Sequence, residues 1–158
     1  GVGGEDAGDI RPVFVDVGPE RRGAPVFAFT RIDDKAITDR SEVVSCDCAV
    51  VLDDTLFGDP VKNGLKPGAT VIINTTKDKS QFAIDGVQVV TVDATGLALE
   101  ILGRPITNVP LLGALIAATG ITSIPAVEAA IDDQLAPKLR EKNKKLLNKT
   151  YEIVKEAL

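Results

Sequence analysis

The sequence predicts an α/β fold, a three-layer α/β/α sandwich with a mostly parallel central sheet, and three observations predict it. Hydrophobic residues make up 44% of the chain but aromatics only 4%. The apolar content is therefore Val, Ile, Leu and Ala, which suits a helix-covered parallel sheet better than an aromatic-rich β-sandwich. Three short runs in the middle of the chain are apolar on both faces, as strands covered on both sides must be. The second half turns to helical spacing, with Ser, Asn and Pro at helix starts and Gly at helix ends. At 158 residues the chain can bury one core, and a single domain is expected over 1–158.

The elements follow in order. GVGGEDAG (1–8) is glycine-rich. Gly3 and Gly4 either bring backbone N–H groups close to a phosphate or make a plain turn. They lack the preceding strand and directly following apolar helix of a dinucleotide fingerprint. PVFVDV (12–17) and PVFAFTRI (25–32) read as strands, and GPERRGAP (18–25) sets Arg21 and Arg22 between two rigid turns.

AVVLDD (49–54), LKPGATVIINT (65–75) and VQVVTVDA (87–94) are the three central strands; the first and third end in Asp, the second in Asn. Polar residues there cap the next helix or line the ligand crevice of an open α/β sheet. Capping is the favoured reading for Asp53 and Asp93, and Asn74 stays open between the two.

DATGLALEILG (93–103) carries an apolar stripe through Leu97, Leu99, Ile101 and Leu102 and stops at Gly103. ITNVPLLGALIAATG (106–120) starts with Asn108 as N-cap and has Pro110 in its first turn. Its body is apolar all round, as in a helix buried against a sheet or a partner subunit. SIPAVEAAIDDQL (123–135) repeats the Ser cap and early Pro. The last helix sets Leu139, Leu146, Leu147, Ile153, Val154 and Leu158 on one face, opposite a lysine-rich, solvated one.

Composition excludes several function classes. A net charge of −5 and few aromatics argue against nucleic acid. No apolar run reaches the roughly 18 residues of a membrane span and no signal-peptide pattern opens the chain, so a cytoplasmic protein is expected. His, Met and Trp are absent. Without imidazole no Ser–His or Cys–His pair can form; no catalytic residue is expected, and any hard chemistry lies in other chains. Cys46 and Cys48, read as pointing to opposite faces of an extended segment, are expected to be reduced and partly buried. A lone C-x-C supplies too few ligands for zinc or an iron–sulfur cluster, so no metal site is expected.

GPERRGAPVFAFTRIDDKAI, VVLDDTL, VIINT, VDATGLALEILGRPITNVPLLGALIAATG and EKNKKLLNKTYE, in that order, resemble the gamma subunit of archaeal and anaerobic-bacterial pyruvate (2-oxoacid):ferredoxin oxidoreductases. The same unit occurs as one domain of the single-chain enzymes. The family opens with a strand, a glycine turn and a long helix, for which GVGGEDAGDIRPVFVDV is too short, so the N-terminal strand and helix are expected to be incomplete here. The resemblance implies a complex that decarboxylates a 2-oxoacid, pyruvate first, to an acyl-CoA and passes electrons to ferredoxin. It places thiamine diphosphate, Mg2+ and 4Fe-4S clusters in the alpha, beta and delta subunits, with ferredoxin reached through them and coenzyme A as co-substrate. The gamma chain is then a scaffold that faces the coenzyme A entry.

On that reading Arg21, Arg22, Gly3, Gly4, Asn74 and Asn108 are the candidate coenzyme A or anion contacts, because guanidinium groups grip phosphate bidentately. Arg21 and Arg22 have two rivals to that role: pairing with acidic groups of a neighbouring subunit, and plain surface. Without the resemblance, the sequence would stand as a flavodoxin-like binding or interaction module acting alone.

Overall fold

The structure, a computed structural model, describes residues 11–13, 29–31 and 45–158. One domain is expected over 1–158; the chain forms two compact units, Gly1–Val44 and Ser45–Leu158. In the first unit, β1 (Arg11–Val13) pairs antiparallel with β2 (Phe29–Arg31), Pro12 opposite Thr30. Residues 14–28, including the arginine turn, lie outside the described residues.

The second unit is an α/β fold. Its sheet has the order β3 (Cys46–Val51), β4 (Leu65–Asn74), β5 (Gln88–Val92), all parallel, with Val51 opposite Ile73 and Asn74 opposite Val92. The register breaks between Cys46, opposite Leu65, and Cys48, opposite Thr70. Pro67 and Gly68 lie in the extra stretch of β4. Proline has no N–H for the ladder, and Gly68 takes φ +80°, so this stretch bows out.

Both faces of the sheet are covered, which explains the unbroken apolar run of β4: Val71, Ile72 and Ile73 are all 0% exposed. Ile72, Val90 and Val92 pack on α2 (Ala94–Leu102), α3 (Asn108–Thr119) and α5 (Pro137–Ala157) through Ala94, Leu111, Ala114 and Val154. Val71 and Ile73 face the other way, toward Val51 and Phe82. The covering there is α1 (Asp59–Asn63), which brings Val61, and two 3-10 segments, Asp54–Leu56 and Lys79–Phe82. Phe57 and Phe82 close it edge to face, 5.1 Å between ring centres. A third cluster, Ile116, Ile131 and Leu147, ties α4 (Ile124–Gln134) to α3 and α5.

Several helix details differ from the sequence reading. In α2 the buried positions are Ala94 and Ala98, and Leu99 is exposed, because this helix packs mainly on α5 through its small-residue face. In α5 the buried positions are Asn143, Leu146, Leu147, Thr150 and Val154; Leu139, Ile153 and Leu158 are exposed. Asn143 and Thr150 tolerate burial because each returns its polar hydrogen to its own helix: Asn143 Nδ2 donates to the Leu139 carbonyl at 2.8 Å and Thr150 Oγ1 to the Leu146 carbonyl at 2.9 Å.

The cysteine geometry is also corrected. Residues two apart in a strand share a face, and Cys46 and Cys48 are both half-buried around an exposed Asp47. Their thiols are free, since two parallel side chains two residues apart do not converge as a disulfide requires.

Candidate functional site

The polar residues that the sequence places at strand ends meet at the carboxyl edge of the sheet. Asp53 accepts from Thr55 N at 3.0 Å and Thr55 Oγ1 at 2.9 Å, and so starts the first 3-10 turn. These two bonds, the backbone one first, hold its carboxyl below the usual carboxylate range. Asp93 caps α2 by accepting from Gly96 N at 2.9 Å. A β-carbon at position 96 would meet the Asp93 carboxylate as it now lies, so a side chain there would make the cap shift. Both caps follow the favoured sequence reading.

Asn74 does more than cap. Its Oδ1 accepts from Ala94 N at 3.0 Å and Thr95 N at 3.3 Å, and its Nδ2 donates to the Leu52 carbonyl at 3.0 Å and Thr95 Oγ1 at 2.9 Å. One amide thus joins the ends of β3 and β4 to the start of α2, using both donors and both lone pairs. An anion would have to displace one of these bonds to reach it.

Three residues missed by the sequence reading complete this edge. Buried Thr75 donates through Oγ1 to Asp54 Oδ2 at 2.6 Å and accepts from Lys77 N at 3.1 Å. The Lys77 ammonium lies 3.9 Å from the same Asp54 oxygen. No local pattern in the sequence announces this trio, because Asp54 and Thr75 meet only through the β3–β4 register. Beside them opens a groove of about 560 Å³ between the β4 turn, the first turns of α2 and Ile153 of α5.

The other candidates are elsewhere. Asn108 is not the cap of α3: Thr107 takes that place, with no side-chain cap bond, and Asn108 is the exposed first helical residue. The helix begins one residue early because the Thr107 carbonyl already accepts from Leu111 N at 3.1 Å. Gly3, Gly4, Arg21 and Arg22 lie outside the described residues. Among the described residues no three His, Cys, Asp or Glu side chains gather as metal ligands, and no helix is long and apolar enough to cross a membrane. Burial, then Cys46, then Asp47 push the Cys48 thiol up to about 11, so it remains a protonated, poor ligand near neutrality.

Residues 13–153 match the family model described as pyruvate ferredoxin/flavodoxin oxidoreductase. The chain is 46% identical over 145 residues to pyruvate synthase subunit PorC of Methanocaldococcus jannaschii, covering 91% of this chain and 80% of that one. It is 47% identical over 144 residues to the pyruvate/ketoisovalerate oxidoreductases common subunit gamma of Thermococcus litoralis, covering 88% and 78%. The crystal structure of pyruvate oxidoreductase subunit PORC from Thermotoga maritima superimposes with a TM-score of 0.75 at 33% identity, covering 91% of this chain and 78% of that one.

Proposed function

The chain belongs to the pyruvate ferredoxin/flavodoxin oxidoreductase family, and from that premise we propose that it serves its complex as scaffold and as part of the coenzyme A entry. The chain is a gamma subunit of a multi-subunit oxidoreductase, with pyruvate the first-choice 2-oxoacid. The observation that carries this reading is the extent of the match: residues 13–153 follow the family, and they include the GPERRGAP turn.

In this proposal the alpha, beta and delta subunits hold thiamine diphosphate, Mg2+ and the 4Fe-4S clusters and hand electrons to ferredoxin in the cytoplasm. The donor chemistry of this chain agrees with that division: it has no His and two Cys, and the Cys48 thiol resists the deprotonation that metal binding needs. Its own work is to bind and orient. Arg21 and Arg22 grip the phosphates of coenzyme A, with Gly3 and Gly4 as further candidate backbone donors. Asn74 contributes indirectly by fixing the carboxyl edge of the sheet, and Asn108 offers an exposed amide at the start of α3.

Native mass spectrometry of the intact complex tests the assignment. The expected result is this chain bound to larger chains that carry thiamine diphosphate and iron. A chain that purifies alone, as a monomer or dimer binding its own ligand, would overturn it. The coenzyme A role is tested by Arg22→Ala in the assembled complex, which should raise the KM for coenzyme A and leave that for the 2-oxoacid nearly unchanged.

A further inference from the structure

The groove at the carboxyl edge of the sheet stands where open α/β folds bind their ligands, yet it is built against anions. A helix start offers four unpaired N–H groups to a phosphate. In α2 the N–H groups of the first three helical residues are taken: Ala94 N and Thr95 N by Asn74 Oδ1, and Gly96 N by Asp93 Oδ1. Two carboxylates, Asp93 and Glu100, border the groove, and Glu100 pairs with no cation among the described residues. Its one ammonium, Lys77, leans on Asp54.

The uncharged lining is mixed, with Thr75, Thr76 and Thr91 beside the aliphatic Val92, Leu97 and Ile153. Val92 is buried, Leu97 is half-buried, and Ile153 remains 39% exposed. Carboxylates beside aliphatic side chains fit a side chain with a long apolar stem and a cationic head, and arginine, which is weakly hydrated and forked, suits carboxylates at an interface best. We propose that this groove is an interface pocket that seats an arginine-bearing segment of another subunit of the complex. The stem lies along Leu97 and Ile153, and the guanidinium meets Glu100 and Asp93. The proposal rests on the multi-subunit reading. It also separates two tasks: the arginine turn takes the anionic co-substrate, and the sheet edge takes a basic partner group.

Glu100→Lys and Ile153→Ser are the test variants, both at exposed helix positions, made in the full chain and assembled with its partner subunits. Glu100→Lys should raise the dissociation constant of the subunit, measured by native mass spectrometry over a dilution series, by about tenfold or more. Glu100→Gln should do so less, and Ile153→Ser should add to either. The far-UV circular dichroism and melting temperature of the free chain should stay near those of the parent, which separates lost docking from lost folding. Assembly of the Glu100→Lys and Ile153→Ser variants as tight as the parent overturns the proposal. So does a Glu100→Lys complex that assembles normally and binds coenzyme A more tightly, since that would make the groove an anion site. A parent chain that finds no partner subunit removes the functional reading and this pocket with it, whereas a parent that assembles beside unaffected variants removes the pocket alone.

Discussion

Gly113 of α3 lies against the carbonyl of Leu147 in α5: a β-carbon at position 113 would stand 2.6 Å from that oxygen and 3.4 Å from Thr150 Cβ. The obstacle is backbone, so a side chain at 113 cannot rotate clear of it. The two helices sit this close because Gly113 and Thr150 are small and the Thr150 hydroxyl is turned back into its own helix. Gly113→Ala should therefore destabilise the chain by about 1–3 kcal/mol despite alanine's better helix propensity, and Gly113→Leu should do so at least as strongly and also reduce assembly. Urea unfolding of the three proteins checks this. Equal midpoints for Gly113→Ala and the parent would show that the helices are not in contact at this point.

Asn74 has four hydrogen bonds reaching residues 20 to 22 positions away. Asn74→Ala leaves Ala94 N and the Leu52 carbonyl without their partner and should cost about 1–3 kcal/mol. Asn74→Asp is the more informative change. It keeps the acceptor for the start of α2, loses both donors, and sets a carboxylate against the Leu52 carbonyl. It should destabilise at neutral pH and recover part of the loss in acid, where the protonated carboxyl regains one donor. A melting temperature for Asn74→Asp that does not change with pH would contradict the network.

These two contacts mark what is readable from the sequence. The both-faces-apolar run VIIN gave away a central parallel strand, and the polar residues at strand ends announced their caps, because each signal is local. The partners of Asn74 and Thr75 depend on how β3, β4 and β5 are set against one another, and nothing near either residue encodes that. In α5 the hydrophobic stripe located Leu146, Leu147 and Val154 in the buried face but not the rest of it. Asn143 and Thr150 satisfy themselves within one turn and enter the core, leaving Leu139, Ile153 and Leu158 outside. Hydropathy counts the polar group but not the bond that silences it.

The two thiols should react unequally. Burial raises the Cys48 thiol to about 11, and Cys46, less buried, is raised by desolvation and then by Asp47. At pH 8 the thiolate fraction at Cys48 is about a hundredfold below that of an ordinary thiol, so alkylation there should be slower by roughly that factor. The linkage follows the same direction. The folded form holds its proton more tightly than the unfolded one, so this contribution to stability is complete below the unfolded value near 9 and declines as pH rises through the folded value near 11. Peptide mapping after timed alkylation checks the order, and faster labelling at Cys48 than at Cys46 would contradict it.

The arginine turn makes the last prediction, and the choice of substitution decides what it tells. If Arg22 grips a phosphate of coenzyme A with two parallel hydrogen bonds, Arg22→Ala loses a charge-assisted contact of roughly 1.5–3 kcal/mol, a rise of about ten- to a hundredfold in the KM for coenzyme A. Arg22→Lys keeps the charge but not the planar fork, and should recover only part of that loss. Both variants should leave the 2-oxoacid KM and the mass of the complex unchanged. An interface anchor behaves differently: both substrates suffer in proportion to the complex lost, and added partner subunit restores the activity. A simple surface arginine changes neither constant. Steady-state kinetics on assembled Arg22→Ala and Arg22→Lys complexes, with each substrate varied in turn, distinguish the three, and unaltered coenzyme A kinetics in an intact Arg22→Ala complex would end the ligand reading.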